Sequence, residues 1–325
     1  PAGAGRGCAM NPRVMGLVAL SAVCVAAAPF VGGSLEGAQG EYILQQLRIP
    51  RVLMAVLVGG TMGLVGACYQ TIFANPLAAP STVGTTAGAT VGAMAAVVLG
   101  TPAWLEDFGF PVMAASAFVG ALVVSFVISL IATSGRARVN DVLLAGIAMT
   151  LAAGAISPGP QYTAEERQLQ AAVLWSLGHL SQVGYRGVLM LLPFVVLCGA
   201  VLLLQARALN SLLGGEDRAH SQGVDVPRLR ALVLGVGALA VAGCVAWCGP
   251  IAFVGLIVPH FMRLFVGADR RRLLPLSFIA GAGFLAACDT VARLALPDRE
   301  LPVGVLTAGL GAPLLVWLIA SQRKS

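Results

Sequence analysis

Long, unbroken runs of apolar residues dominate this chain and restrict what it can fold into. A helix needs about 20 mostly apolar residues to cross a lipid bilayer. The runs therefore predict an all-α polytopic membrane protein with about ten transmembrane helices. The expected spans are 14–31, 52–73, 83–99, 112–132, 142–157, 188–205, 229–247, 253–265, 273–294 and 303–321.

Composition and charge agree with this class of protein. Of 325 residues, 58% are hydrophobic and only 10% charged, whereas a soluble chain has about 25% charged residues. The formal net charge is +6, but the arginines are scattered in short segments between spans, which favours membrane orientation over nucleic-acid binding. Most of them fall where an inside amino terminus would leave them in the cytoplasm. We expect cytoplasmic tails at 1–13 and 322–325 around a single transmembrane domain at 14–321.

Several kinds of chemistry are missing from the sequence. The only lysine, Lys324, is the next-to-last residue, and no Walker A motif exists, so any ATP must bind to another polypeptide. The three histidines are far apart, and we expect no catalytic residue and no metal ligand. Six cysteines lie within apolar runs, where they are expected to be small buried residues: Cys24, Cys68, Cys198, Cys244, Cys248 and Cys288.

Charged residues inside the spans are few. Asp289 and Arg293 are four residues apart on one face of the ninth span, so they are expected to pair. A proton-coupled transporter usually has more intramembrane carboxylates, because each is expensive to bury and is kept for a relay. An ion-coupled secondary transporter therefore remains only a distant alternative.

Local patterns predict how some spans pack. Gly84, Gly88 and Gly92 recur at every fourth residue, which favours close approach of another helix over contact with substrate. The fifth span meets Ser157-Pro158-Gly159-Pro160 and the eighth is short, and two interpretations stay open for each: it lines a cavity, or it is an ordinary helix end. The segment 164–177 is predicted to form a short surface helix. A faint similarity between 57–84 and 233–260 suggests inverted repeats.

Seven motifs in order identify a resemblance that covers about 41–318. They are QLRIPRVLMAVLVGG, QTIFANPLAAP, DVLLAGIA, LNSLLGGEDRAHSQGVDVPRLR, GPIAFVGLIVPHFMRL, DRRRLLPLS and ELPVGVLTAGLGAPLLVWL. Together they resemble the permease subunits of the ATP-binding-cassette importers for iron chelates, haem and cobalamin.

The resemblance implies a type II ABC importer permease in a bacterial inner membrane. It implies a homodimer with the pore on the two-fold axis, two ATP-binding subunits docked below and a periplasmic substrate-binding protein above. The chain itself would be no enzyme and would bind no covalent cofactor. Haem is the favoured substrate, with ferric siderophores and cobalamin as alternatives.

The resemblance also implies roles for particular residues. Asn75, Pro76 and Leu77 match a motif that helps to close the cytoplasmic gate, whereas Arg138-Val139-Asn140 departs from the pattern expected at a second gate. The loop 207–228 would form two short coupling helices that fit into the ATPase. Its contact residues would be Leu212, Leu213, Glu216, Asp217, Arg218 and His220.

Three arginines are assigned to the opposite end of the protein. Arg48 and Arg51 flank Ile49-Pro50 before the second span, and Arg293 lies at the end of the ninth. Their family counterparts pair with carboxylates of the binding protein, so the three are expected to form a basic rim around the pore mouth. Snorkelling of the same arginines to lipid headgroups is the alternative.

Overall fold

A computed structural model describes residues 12–32, 37–99, 112–133, 139–181, 183–296 and 299–322, and these residues form a bundle of helices. In chain order the α-helices are α1 (Pro12–Ala27), α2 (Gly37–Ile72, π-helical over Ile43–Arg48), α3 (Thr85–Leu99), α4 (Val112–Thr133), α5 (Val139–Ile156), α6 (Pro158–Thr163), α7 (Glu166–Ser176), α8 (Arg186–Leu204), α9 (Ala206–Ser211), α10 (Glu216–Ser221), α11 (Val226–Cys248), α12 (Val254–Val266), α13 (Arg270–Leu294) and α14 (Val303–Gln322).

Each of the ten predicted spans coincides with one of these helices. Seven helical stretches among the described residues are long and apolar enough to cross a membrane by length and composition, and α12 is a shorter apolar helix of 13 residues. The all-helical membrane class is therefore confirmed. The predicted tails fall mostly on 1–11 and 323–325, which lie outside the described residues.

Helix α2 forms the centre of the bundle and packs antiparallel against α13. The apolar part of α2 is 83% buried. Backbones touch where glycines remove the side chain, because a Cβ added at Gly59 would overlap the carbonyl oxygen of Gly281, and one at Gly63 would overlap that of Ser277. Lipid tails are as apolar as the helix surfaces, so burial against another helix gives no hydrophobic gain. Close contact at glycines stabilises the helix pair through van der Waals packing instead.

The glycines of the third span serve packing, as predicted. A Cβ at Gly88 would overlap the carbonyl oxygen of Gly120 on α4, and a Cβ at Gly92 would overlap that of Ser116. Gly84 instead ends a 3₁₀ turn in the left-handed region, with φ +82°. The repeat thus joins α3 to α4.

Two irregular segments lie inside the bundle, before α3 and before α12. Ala78, Ala79 and Pro80 are buried in the first, and Phe253 in the second has a left-handed backbone with φ 68°. Irregular backbone at membrane depth is tolerated where protein covers it. Helices α2 and α11, which precede these segments, run antiparallel, as inverted repeats require: the hydroxyl of Tyr69 donates to the Leu234 carbonyl, and Gly237 packs on Val65.

The broken fifth span borders a cavity. Helix α5 ends at Ile156, and α6 follows after one residue. An apolar cavity of about 650 Å³ lies between α3, α4 and α5, with Ala152, Ala153 and Ile156 in its lining. Helix α7 is present as predicted. It buries Ala172 and Trp175 and leaves Val173 exposed.

Candidate functional site

The two ends of the helical bundle hold different candidate sites. We call the end that carries Arg51 and Asp289 the arginine end, and the end that carries α9 and α10 the loop end. Because α2 and α13 are antiparallel, the part of α2 around Arg51 and the last turns of α13 meet at the arginine end. The end of α2 and the start of α13 meet at the loop end.

A buried ion pair joins α2 to α13 at the arginine end. Arg51 donates from Nε to both carboxylate oxygens of Asp289, at 2.9 and 3.0 Å, and its NH2 lies 2.9 Å from Oδ1. The side chains are 9% and 1% exposed. Burial of one charge without the other would be costly, because a buried ionised group needs an oppositely charged partner. This two-point geometry is the strong form of an arginine–carboxylate pair.

Three more charged residues surround this pair. Arg51 donates from its remaining NH1 to Glu300, whose side chain is 56% exposed. Nε of Arg293 lies 3.4 Å from Oδ2 of Asp289, and its NH2 donates to the Ala28 carbonyl. Arg48 donates to the carbonyl oxygens of the segment after α1, at Pro29 and Gly32.

These positions refine what the sequence predicted for the arginine end. Asp289 and Arg293 do pair, but the shorter contacts of Asp289 are with Arg51, 238 residues away along the chain. Arg51 is 7% exposed and is bound by carboxylates of its own chain, whereas Arg48 is only half-buried. Glu300 was missed by the sequence analysis. The sequence offered one indication of its role. A buried arginine needs carboxylate partners, and Glu300 is a carboxylate just before the last span.

A cavity of about 550 Å³, lined by both charged and apolar residues, opens at the arginine end. Arg48, Arg51, Arg293 and Glu300 all contribute to its lining, together with apolar residues that include Leu47. The three predicted docking arginines therefore share one cavity. Their docking role stays a prediction.

His179, in the segment between α7 and α8, adds no charge to this end at neutral pH. Burial lowers the pKa of its imidazole below the ordinary value of 6.5, and the nearby charge of Arg51 lowers it further, although a backbone hydrogen bond with Cys248 acts in the opposite direction. The backbone N–H of His179 donates to the Cys248 carbonyl at 2.8 Å. His179 thus stays neutral and anchors the segment to the end of α11.

The Asn75-Pro76-Leu77 motif forms a tight turn where α2 ends. Ala74 has a left-handed backbone with φ 46°. The side-chain oxygen of Asn75 accepts from the N–H of Leu77 at 2.9 Å, and its carbonyl accepts from Ala78. An asparagine can close a turn in this way because its amide mimics a backbone carbonyl. All three motif residues are half-buried, so each keeps exposed surface in the single chain.

The predicted coupling loop contains two short helices, α9 and α10, as expected from the sequence. A 3₁₀ turn, Leu212–Gly214, joins them, and Gly215 takes a positive φ of 96° that side chains rarely adopt. Leu209 and Ala219 are buried and hold the two helices against the bundle. The loop is therefore an ordered surface.

The proposed contact residues differ in exposure. Leu213 is 44% exposed, whereas Leu212 is half-buried and packs against the core. The charged members all lie on the surface: Glu216, Asp217, Arg218 and His220.

Two hydrogen bonds attach the loop to the transmembrane helices. The side chain of Asn210 accepts from the backbone N–H of Arg270, at 3.1 Å, at the start of α13. Arg230 on α11 donates to Glu216 at 2.6 Å. A displacement of the loop would thus act directly on α11 and α13.

Comparison with known proteins gives full-length matches. A model of the FecCD transport family matches residues 14–321. The chain is 40% identical to the cobalamin import system permease BtuC of Halobacterium salinarum, over 96% of this chain and 82% of that protein. It is 37% identical to the hemin transport system permease HmuU of Yersinia pestis, over 87% of this chain and 84% of that protein.

Solved structures agree with the sequence matches. An inward-facing ABC transporter of the metal-chelate type superposes with a TM-score of 0.83 at 30% identity, covering 95% of this chain and 99% of the other. PsaBC of Streptococcus pneumoniae, with a TM-score of 0.55 at 17% identity over 82% of this chain and 88% of the other, shares the fold.

Proposed function

This chain belongs to the FecCD transport family of ABC importer permeases, and from this premise we propose that it moves a metal chelate of the tetrapyrrole class across the inner membrane of a bacterium. The observation that carries the proposal is similarity along nearly the whole chain to permeases named for cobalamin and for hemin. Haem is the first substrate to test and cobalamin the second. A ferric siderophore is the remaining alternative.

We propose that the working unit contains two copies of this chain. Two ATP-binding subunits dock at the loop end, and a substrate-binding protein docks at the arginine end. The loop end is then cytoplasmic, together with both termini, which agrees with the positive-inside rule. Two different surfaces support this assignment. The loop end presents the ordered α9–α10 surface, with Leu213 exposed. The arginine end presents a cavity lined by Arg48, Arg51 and Arg293.

Transport would follow from this arrangement. Substrate delivered at the arginine end enters a pore between the two copies, and Asn75, Pro76 and Leu77 of each copy close its cytoplasmic end. ATP-driven movement of the partner subunits acts on α9 and α10, and from there on α11 and α13 through Glu216 and Asn210. No ionisable relay is needed, because ATP on another chain supplies the free energy.

Uptake into proteoliposomes tests the proposal. The chain is co-expressed with its ATPase, reconstituted, and supplied with binding protein loaded with radiolabelled haem or cobalamin. We expect accumulation with ATP and none with a non-hydrolysable analogue. Accumulation driven by a proton or sodium gradient without ATP would establish the secondary transporter instead.

The substrate is decided in the same assay. Haem and cobalamin are offered at equal concentration, with a ferric siderophore as a third arm. Transport of the siderophore alone would refute the tetrapyrrole assignment while leaving the importer assignment intact.

A further inference from the structure

Glu300 differs from the other charged residues of the arginine end. Asp289 binds Arg51 through Nε and NH2 and is 1% exposed, so water and partners cannot reach it. Glu300 accepts a hydrogen bond from NH1 of Arg51, the remaining guanidinium nitrogen, and its side chain is 56% exposed. One arginine therefore has a permanent carboxylate partner and an exchangeable one.

The exchangeable contact is weak for a physical reason. The Glu300 carboxylate is 56% exposed, so hydration that it regains on leaving offsets much of the energy of the ion pair. The buried contact with Asp289 keeps the Arg51 guanidinium in place if Glu300 leaves. Release of Glu300 would thus expose a pre-positioned N–H donor, aimed at the place where a carboxylate now lies.

The surrounding cavity suits a second carboxylate. It measures about 550 Å³, opens at the surface, and has Arg48, Arg51 and Arg293 in its lining beside Glu300. Three guanidinium groups and the two carboxylates, Asp289 and Glu300, leave a small positive excess. Removing the charge of Glu300 increases that excess and exposes NH1 of Arg51.

We propose that Glu300 is an internal competitor of the docking partner: its carboxylate occupies Arg51 until an acidic side chain of the substrate-binding protein replaces it. This rests on the proposed function of the arginine end. Docking then exchanges one carboxylate for another. When the binding protein leaves, Glu300 recaptures Arg51, which favours release after each delivery.

The test is the affinity of binding protein for the reconstituted importer in nanodiscs, measured for wild type, Glu300→Gln and Glu41→Gln. Glu41 is an exposed carboxylate near the start of α2 that accepts a hydrogen bond from the Gln45 side chain, so its replacement removes the same charge without touching Arg51. We expect Glu300→Gln to bind about two- to fivefold more tightly, which is what an exposed ion pair is worth. Its dissociation should be slower, and its affinity should fall more steeply with salt because the site is more positive.

Three results would overturn the proposal. The first is unchanged or weaker docking of Glu300→Gln. Weaker docking together with a lower unfolding temperature would assign Glu300 a structural role. The second is an equal gain in Glu41→Gln, which would show a general charge effect. The third is a gain that appears only in nanodiscs containing phosphatidylglycerol, which would make a lipid phosphate the occupant. Failure of the wild type to bind or respond to any binding protein would instead refute the proposed function.

Discussion

At the scale of single residues, Arg51 depends on partners that its own helix cannot provide. Asp289 binds it at two points from α13, and both side chains are almost wholly buried. Removing one member of a buried pair leaves an uncompensated charge, whereas replacing both by apolar residues can be nearly neutral. The pair should therefore couple strongly in a double-mutant cycle.

We predict that Asp289→Asn destabilises the protein by about 3–5 kcal/mol, because Arg51 is left charged and buried. The double replacement Arg51→Met with Asp289→Leu should recover much of this loss. Unfolding of the purified protein in detergent measures both. A double variant as unstable as the sum of the single ones would show that the two residues act independently.

At the scale of elements, α2 and α13 pack as a pair because glycines bring their backbones together. The Gly59–Gly281 contact leaves no room for a methyl group on either side. The ion pair of Arg51 and Asp289 closes the same interface at the arginine end. Rigid contact along α2 and α13 explains how a change at one end could be felt at the other.

Gly59→Ala should destabilise the fold by about 1–3 kcal/mol, the usual result of overpacking a filled interior. Gly235→Ala on α11 is the matched control, since a Cβ there has nothing within 4 Å, and alanine stabilises a helix by about 0.5–1 kcal/mol relative to glycine. Thermal unfolding compares the two variants. Equal behaviour would mean that α2 and α13 can move apart at little cost.

The coupling loop yields a second prediction at this scale. Leu213→Asp should abolish stimulation of the ATPase while leaving the permease folded, since exposed apolar anchors contribute most to interfaces. Leu212 is a poorer test because it packs against the core. Gln222→Asp adds the same charge to an exposed position of the loop and should have little effect. Normal coupling in the Leu213 variant would show that this face does not bind the ATPase.

At the scale of the whole molecule, two copies have to meet if the proposed pore exists. The half-buried Asn75-Pro76-Leu77 turn keeps surface that a symmetry mate could cover. A ring of leucine side chains excludes water, and asparagine can donate hydrogen bonds across an axis.

We therefore predict that a cysteine at position 77 forms a disulfide with its mate in some nucleotide states and not in others. Cys8 and Cys24 are first replaced by serine; the other described cysteines are buried. A cysteine in place of Leu204, which is 78% exposed on α8, serves as the control and should not crosslink in a state-dependent way. Absence of any crosslink at 77 in every state would place the turn away from the axis.

The sequence by itself determined the helical membrane fold and the family. Apolar runs, glycine spacing and ordered motifs act locally, so they indicate which segments are helical and where small residues allow close packing, although α2 begins at Gly37 rather than at the predicted residue 52. The α9–α10 pair was implied by the family resemblance, and the structure contains both helices.

Only the tertiary structure decided which charges meet. Asp289 and Arg293 are neighbours on one helix, but the stronger contact joins Asp289 to Arg51 across 238 residues. Glu300 completes the set from a third segment. Such a pairing depends on which helices lie antiparallel and at what height their charged residues stand, and this is set by the packing of the whole bundle rather than by any local pattern.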